Sequence, residues 1–144
     1  MAHEVFTDGW SRACRDRLNA RGTFRALAPD WSDPVVLSMS PDPTTGPGNE
    51  RAVYLDLHAG ECRDAREATA ADLASAPIVL SAAPDTWRQL LESGLDPVAA
   101  VMRGQLRLQR GNLLMLARHA AAAREMVAAA AEVHGSFPEG DAAA

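Results

Sequence analysis

The sequence predicts an α+β fold, a mostly antiparallel sheet with helices covering one face. Three observations predict it. Near both ends of the chain apolar residues recur every three or four positions, the spacing of helices that bury one side. In the middle they alternate, the spacing of half-buried strands. The first strands also follow one another through connections too short to hold a crossover helix, so neighbours run antiparallel. The 144 residues suit one domain, expected over residues 1–134, with a loose tail over 135–144.

Taken in order, the first helix starts at Thr7 or Asp8, either of which can cap it. Trp10, Cys14 and Leu18 then form a single stripe, and Gly22 stands where a C-terminal cap belongs. A short second helix over residues 23–27 ends before Pro29. Residues 35–40 read as a strand that opens on β-branched Val35 and Val36. "PDPTTGPGNE" follows as a turn-rich loop, because its prolines and glycines do not continue a strand. Val53, Leu55 and Leu57 alternate with Tyr54, Asp56 and His58 in the first arm of a hairpin, and Ala59 and Gly60 supply its turn. The returning arm from Cys62 is heavily charged and suits a sheet edge.

Residues 78–82 read as another strand. After Pro84, Trp87, Leu90 and Leu91 share one helical face, closed by Gly94. Asp96 caps the next helix with Pro97 at its first position. Val98, Val101 and Met102 form its apolar side and Gly104 closes it. "QLRLQR" alternates again, with Leu106 and Leu108 on one face and Arg107 on the other. Gly111 turns the chain, and Asn112 caps a long helix from Leu113 that Gly135 stops.

The formal net charge of −5 works against nucleic-acid binding, which needs clustered positive charge. Arg103, Arg107, Arg110 and Arg118 nevertheless lie together with no acid among them. Arg107 is expected to point at water and Arg103 to favour the negative end of its helix. The start "MAHEVFTDGW" has no signal-peptide pattern, and no uncharged stretch is long enough to span a bilayer, so stable membrane insertion is not expected. Two cysteines in no paired motif then point to a reduced, cytoplasmic protein. His58 and Cys62 flank a turn, but two ligands do not make a metal site. Ser38, Ser40 and Ser81 lack a nucleophile elbow, and "GPGNE" is not set between a strand and a helix as a phosphate loop requires. No cofactor, metal or catalytic residue is expected.

The segment "LSAAPDTWRQLLESGLDPVAAVMRGQLRLQRGN" resembles the sterol carrier protein 2 family. The shared pattern is a strand, a helix with Trp87, Leu90 and Leu91, a break at Asp96 and Pro97, a helix ending in Met102 and Gly104, and a "GxLxLxGN" turn. Leu106, Leu108, Gly111 and Asn112 carry that last motif. The front segment "DGWSRACRDRLNARGTFRALAPDW" fits as well, so the resemblance spans residues 6–133. It departs at Arg110 and in the alanine-rich "AAAAREMVAAAAEV". The resemblance implies a five-stranded sheet and an apolar tunnel beneath the helices, in a family that binds or transfers lipids. The same fold also occurs as an accessory domain of enzymes.

The tunnel is then expected to be lined by Trp87, Leu90, Leu91, Val98, Met102, Leu106, Leu108, Leu114 and Met115. The competing reading is that these residues fill an ordinary core. A long fatty chain gains roughly 12 kcal/mol gross at about 0.8 kcal/mol per methylene, offset by association costs of about 4–15 kcal/mol. The expected function is a non-enzymatic carrier of a fatty acyl chain, sterol or other lipid, with the helix from Leu113 as a movable cover. A protein-interaction module or homodimer packed through the alanine-rich helix, or an accessory subunit of an enzyme, is the alternative.

Overall fold

A computed structural model describes residues 4–39 and 51–135. Helix α1 (Asp8–Ala20) is capped by Thr7, whose Oγ1 accepts the Trp10 N–H at 3.3 Å. Arg21 ends α1, and Gly22 opens α2 (Gly22–Leu27) rather than capping its predecessor. Strands β1 (Val35–Met39), β2 (Arg51–His58) and β3 (Glu61–Glu67) follow. The loop "PDPTTGPGNE" and Ser40 lie outside the described residues, as does the expected tail from residue 136 onward.

The five strands form one sheet in the order β3-β2-β1-β4-β5, with β4 at Ile78–Ala82 and β5 at Arg107–Arg110. Pairings β1–β2, β2–β3 and β4–β5 are antiparallel, but β1 and β4 run parallel. The sheet is therefore mixed, mostly antiparallel with one parallel pair. The parallel pair needs a crossover, and the chain makes it through α3 (Ala70–Ser75), a helix absent from the sequence reading. Its signal was a Thr-x-x-Asp capping box. The Asp72 N–H donates to Thr69 Oγ1 at 3.2 Å, and Asp72 accepts the Thr69 N–H at 2.8 Å.

Alternation in β1 and β4 gives the sheet two faces. Val36 and Val79 pack with Ala76, Tyr54 and Leu73 of α3 in a small cluster on one face. The opposite face carries Val35, Leu55, Ile78 and Leu80 into the large core beneath α1, α4 (Pro84–Glu92) and the C-terminal helix. One short helix thus covers part of the face expected to be bare.

Helix α5 (Pro97–Met102) is capped by Asp96, which accepts the Ala99 N–H at 2.9 Å. The long helix expected from Leu113 is two helices, α6 (Leu113–Arg118) and α7 (Ala120–Val133). The break is His119 (φ −103°, ψ 29°), whose ring packs against Trp31 at 5.3 Å between centroids. Alanines on both sides hide such a break, since they fit any helical face. At the far end His134 takes the left-handed conformation (φ 53°), not Gly135. Gly135 is needed for closeness instead: a Cβ there would lie 2.7 Å from Trp10 and 2.8 Å from Val5.

Candidate functional site

A cavity of about 60 Å³ lies between the large-core face of the sheet and the helices. Its floor follows from strand register. Val35 stands between Leu55 on β2 and Ile78 on β4, and Leu37 stands beside Leu80. These positions alternate along each strand, so they share a face. One wall is the α1 stripe of Trp10, Cys14 and Leu18; another is Trp87, Leu90 and Leu91 of α4. The roof is Ala123, Met126, Val127 and Ala130 of α7, at i, i+3, i+4 and i+7, which is one face of a helix. Leu106 and Leu116 close the end nearest β5 and α6.

Polar groups are few around this space. Among the described lining residues Arg15 alone is charged, and its partner Asp16 at 3.1 Å is well exposed. The Trp87 indole N–H is occupied, donating to the Ser38 carbonyl at 3.0 Å and tying α4 to β1. The Trp10 Nε1 is buried without an acceptor among the described residues, although the ring itself stacks on Phe6 at 5.0 Å. Cys14 and Cys62 face the same space as free thiols. Burial pushes Cys62 up to about 12 and raises Cys14 too, so both stay protonated and chemically quiet near neutrality.

The roof is latched at its edges. Arg21, at the junction of α1 and α2, donates to Glu125 at 2.9 Å and to Glu132 at 2.5 Å. Arg17 approaches Glu132 at 3.9 Å, and Arg124 pairs with Asp96 at the start of α5. A second recess of about 170 Å³ lies beside the first and shares Leu91 and Ala130 with it; Glu92, His134 and Gly135 also line it.

Four of the nine residues expected around a tunnel line the cavity: Trp87, Leu90, Leu91 and Leu106. Val98, Leu108 and Met115 are half-buried against the core without reaching it. Met102 and Leu114 are 74% and 76% exposed and point away from the interior. The reason is element length. Helices α5 and α6 have six residues each, about one and a half turns, so only one narrow side faces inward. In α5 that side is Pro97 and Ala100; in α6 it is Leu116.

The lining residues outside that set come mainly from α1, the sheet and α7. The stripe of Trp10, Cys14 and Leu18 and the alternation in the strands were the available signals. Arg107 is exposed, and Arg110 donates to the Ala76 carbonyl at 2.7 Å, fastening the end of β5. Among the described residues no three His, Cys, Asp or Glu side chains converge as metal ligands, and no helix is long and apolar enough to cross a membrane.

No protein-family model matches the sequence, and no curated protein does either. Solved structures do. The conserved hypothetical protein TT1886 of Thermus thermophilus is 38% identical with a TM-score of 0.80, over 92% of each chain. A crystal structure of sterol carrier protein 2 is also 38% identical, with a TM-score of 0.79, over 90% of this chain and 98% of that one. Sterol carrier protein 2 from Yarrowia lipolytica in its apo form, at 22% identity and a TM-score of 0.55 over 83% of this chain and 87% of that one, shares the fold.

Proposed function

The chain belongs to the sterol carrier protein 2 family, and from that premise we propose that it binds and carries a flexible amphiphile such as a fatty acyl chain. It does so without covalent chemistry. The observation that carries this reading is the cavity lining: hydrocarbon from sheet, α1, α4 and α7, with the one cation Arg15 among the described lining residues. Such a lining offers a tail nothing to react with and a carboxylate one partner.

The cavity volume sets the mechanism. A void of roughly 150 Å³ holds benzene, and the cavity has about 60 Å³. A tail therefore enters only as the roof lifts. A flexible chain suits this better than a rigid ring system, because it fills space one methylene at a time. Helix α7 is the part built to move: its cavity side chains include two alanines, and ion pairs hold its edges. The two buried free thiols are in keeping with a reducing compartment such as the cytoplasm.

Titration with a fluorescent fatty acid tests the reading, read both by the probe and by the emission of Trp10, Trp31 and Trp87, which line the cavity. Saturable binding in about the micromolar range, reversed by unlabelled fatty acid, is expected. No displaceable binding, together with native mass spectra of freshly purified protein that show the bare chain, would refute it.

A further inference from the structure

From the distribution of charge and exposed hydrocarbon, we infer that the edge formed by the end of α5, strand β5 and the start of α6 docks on an anionic lipid surface. Residues 97–124 contain no Asp or Glu and five arginines, in a chain of net charge −5. Among the described residues, carboxylates hold Arg124 and at least six other arginines. Arg103, Arg107 and Arg118 have no carboxylate partner among the described residues, and all three are exposed. Interleaved with them are most of the exposed large hydrophobic side chains among the described residues: Met102 at 74%, Leu114 at 76% and Leu113 at 44%.

Strand β5 is one of the two outer strands of the sheet. Met102 and Arg103 end the helix before it, and Leu113 and Leu114 begin the helix after it. The four-residue strand spans about 13 Å, so cation and hydrocarbon alternate along a single edge. Arginines alone would be explained as guards of an unpaired strand. Guarding does not require Met102 and Leu114 to stand in water. Cations beside exposed leucine and methionine match an interface of anionic headgroups over acyl chains. A second copy of this chain fits less well, since a twofold contact through this edge would bring its arginines against one another. The negative charge elsewhere on the chain is screened beyond roughly 8–10 Å at physiological salt, so the local edge decides.

The inference rests on the carrier reading only for its purpose. Leu116, on the inward side of α6, lines the cavity. Burying Leu113 and Leu114 in the interface would therefore act on a cavity wall at the place where the acceptor bilayer waits.

The test is co-sedimentation of the full chain with phosphatidylcholine vesicles, with and without about 30 mol% phosphatidylglycerol, at low and high salt. Partition into the anionic vesicles is expected, falling at high salt. Arg103→Gln with Arg107→Gln should weaken it about 25-fold, about fivefold per arginine, and Leu114→Ser about tenfold. The double arginine variant should bind a soluble fluorescent fatty acid as the unaltered chain does. Equal partition into neutral vesicles, no partition at all, or variants that sediment unchanged would overturn the inference. So would a dimer in sedimentation equilibrium that the arginine changes dissociate, because a second copy would then cover the edge. A chain that binds the fatty acid but not vesicles loses only the docking edge; one that binds vesicles but not the fatty acid loses only the carrier reading.

Discussion

Replacing Ala123 with leucine separates a ligand cavity from an accident of packing. Ala123 is 7% exposed and faces the space under α7. Leucine adds three carbons there without disturbing a good helix position. An empty volume of about 60 Å³ corresponds to roughly 1.4 kcal/mol at about 24 cal/mol per Å³. Burying three carbons contributes about 2.4 kcal/mol more. Overpacking opposes this by about 1–3 kcal/mol. The variant should therefore be about 1–3 kcal/mol more stable, a rise in Tm of about 2–4 °C per kcal/mol for a chain near this size. A tail forfeits the same three carbons of room, a loss of roughly 50-fold in affinity. Thermal unfolding and displacement of a fluorescent fatty acid measure the two effects on one sample. A more stable variant that binds the probe as tightly as before would refute the reasoning, because the tail would then lie elsewhere. A less stable variant would show that the space cannot take three carbons.

Three further outcomes are expected. Arg15→Gln should weaken binding of a fatty acid about fivefold and leave the matching fatty alcohol unchanged, a modest effect because Arg15 is about a third exposed; equal losses for both ligands would remove Arg15 as an anchor. Arg21→Ala should release α7 at the cost of about 1–2 kcal/mol in urea unfolding, since its partner Glu125 is largely buried, and should speed probe uptake in stopped flow; slower uptake would contradict the latch. Asp72 is held at about 2 by the Arg66 guanidinium and the Thr69 cap, below its ordinary 3.8. Its stabilising effect is therefore complete above the ordinary value and is lost as the pH falls through the folded one. Asp72→Asn keeps the cap oxygen but should shrink the fall in urea midpoint between about pH 6 and about pH 2, and an unchanged fall would count against the Arg66 pair.

Local signals in the sequence were readable wherever one residue type does one job. Thr7, Asp96 and Asn112 cap the helices they were expected to cap, and Gly94 and Gly104 follow the ends of α4 and α5 in the left-handed conformation. The heavily charged third strand is an edge. Pairing between β1 and β4 was not readable, because nothing local distinguishes parallel from antiparallel partners as far apart in the chain as Val35 and Ile78. Helix α3 has Leu73 as its only large apolar side chain, too little for a period. The site was readable in its back half as a set of helical faces but not in its depth. Depth is set by neighbours: Met102 and Leu114 stand on the outer sides of their short helices, while Ala123 and Ala130, individually featureless, form part of the roof.

That roof decides whether the chain can work as a carrier at all, and its composition can be weighed. On its cavity face alone, lifting α7 re-exposes two alanine methyls and the buried halves of Met126 and Val127, about 4 kcal/mol of apolar contact. The ion pairs at its edges add at most about 1 kcal/mol each where exposed. A tail of some fifteen methylenes returns about 12 kcal/mol gross, which leaves a surplus of the same order as the cost of association. Leucines in place of Ala123 and Ala130 would add about 4–5 kcal/mol to the lifting term and erase that surplus. On the proposed carrier function, the departure of α7 from bulky side chains toward alanine is what would keep opening and binding in balance: charge and shape would hold the roof closed over an empty cavity, and it would yield when a chain of sufficient length replaces its contacts.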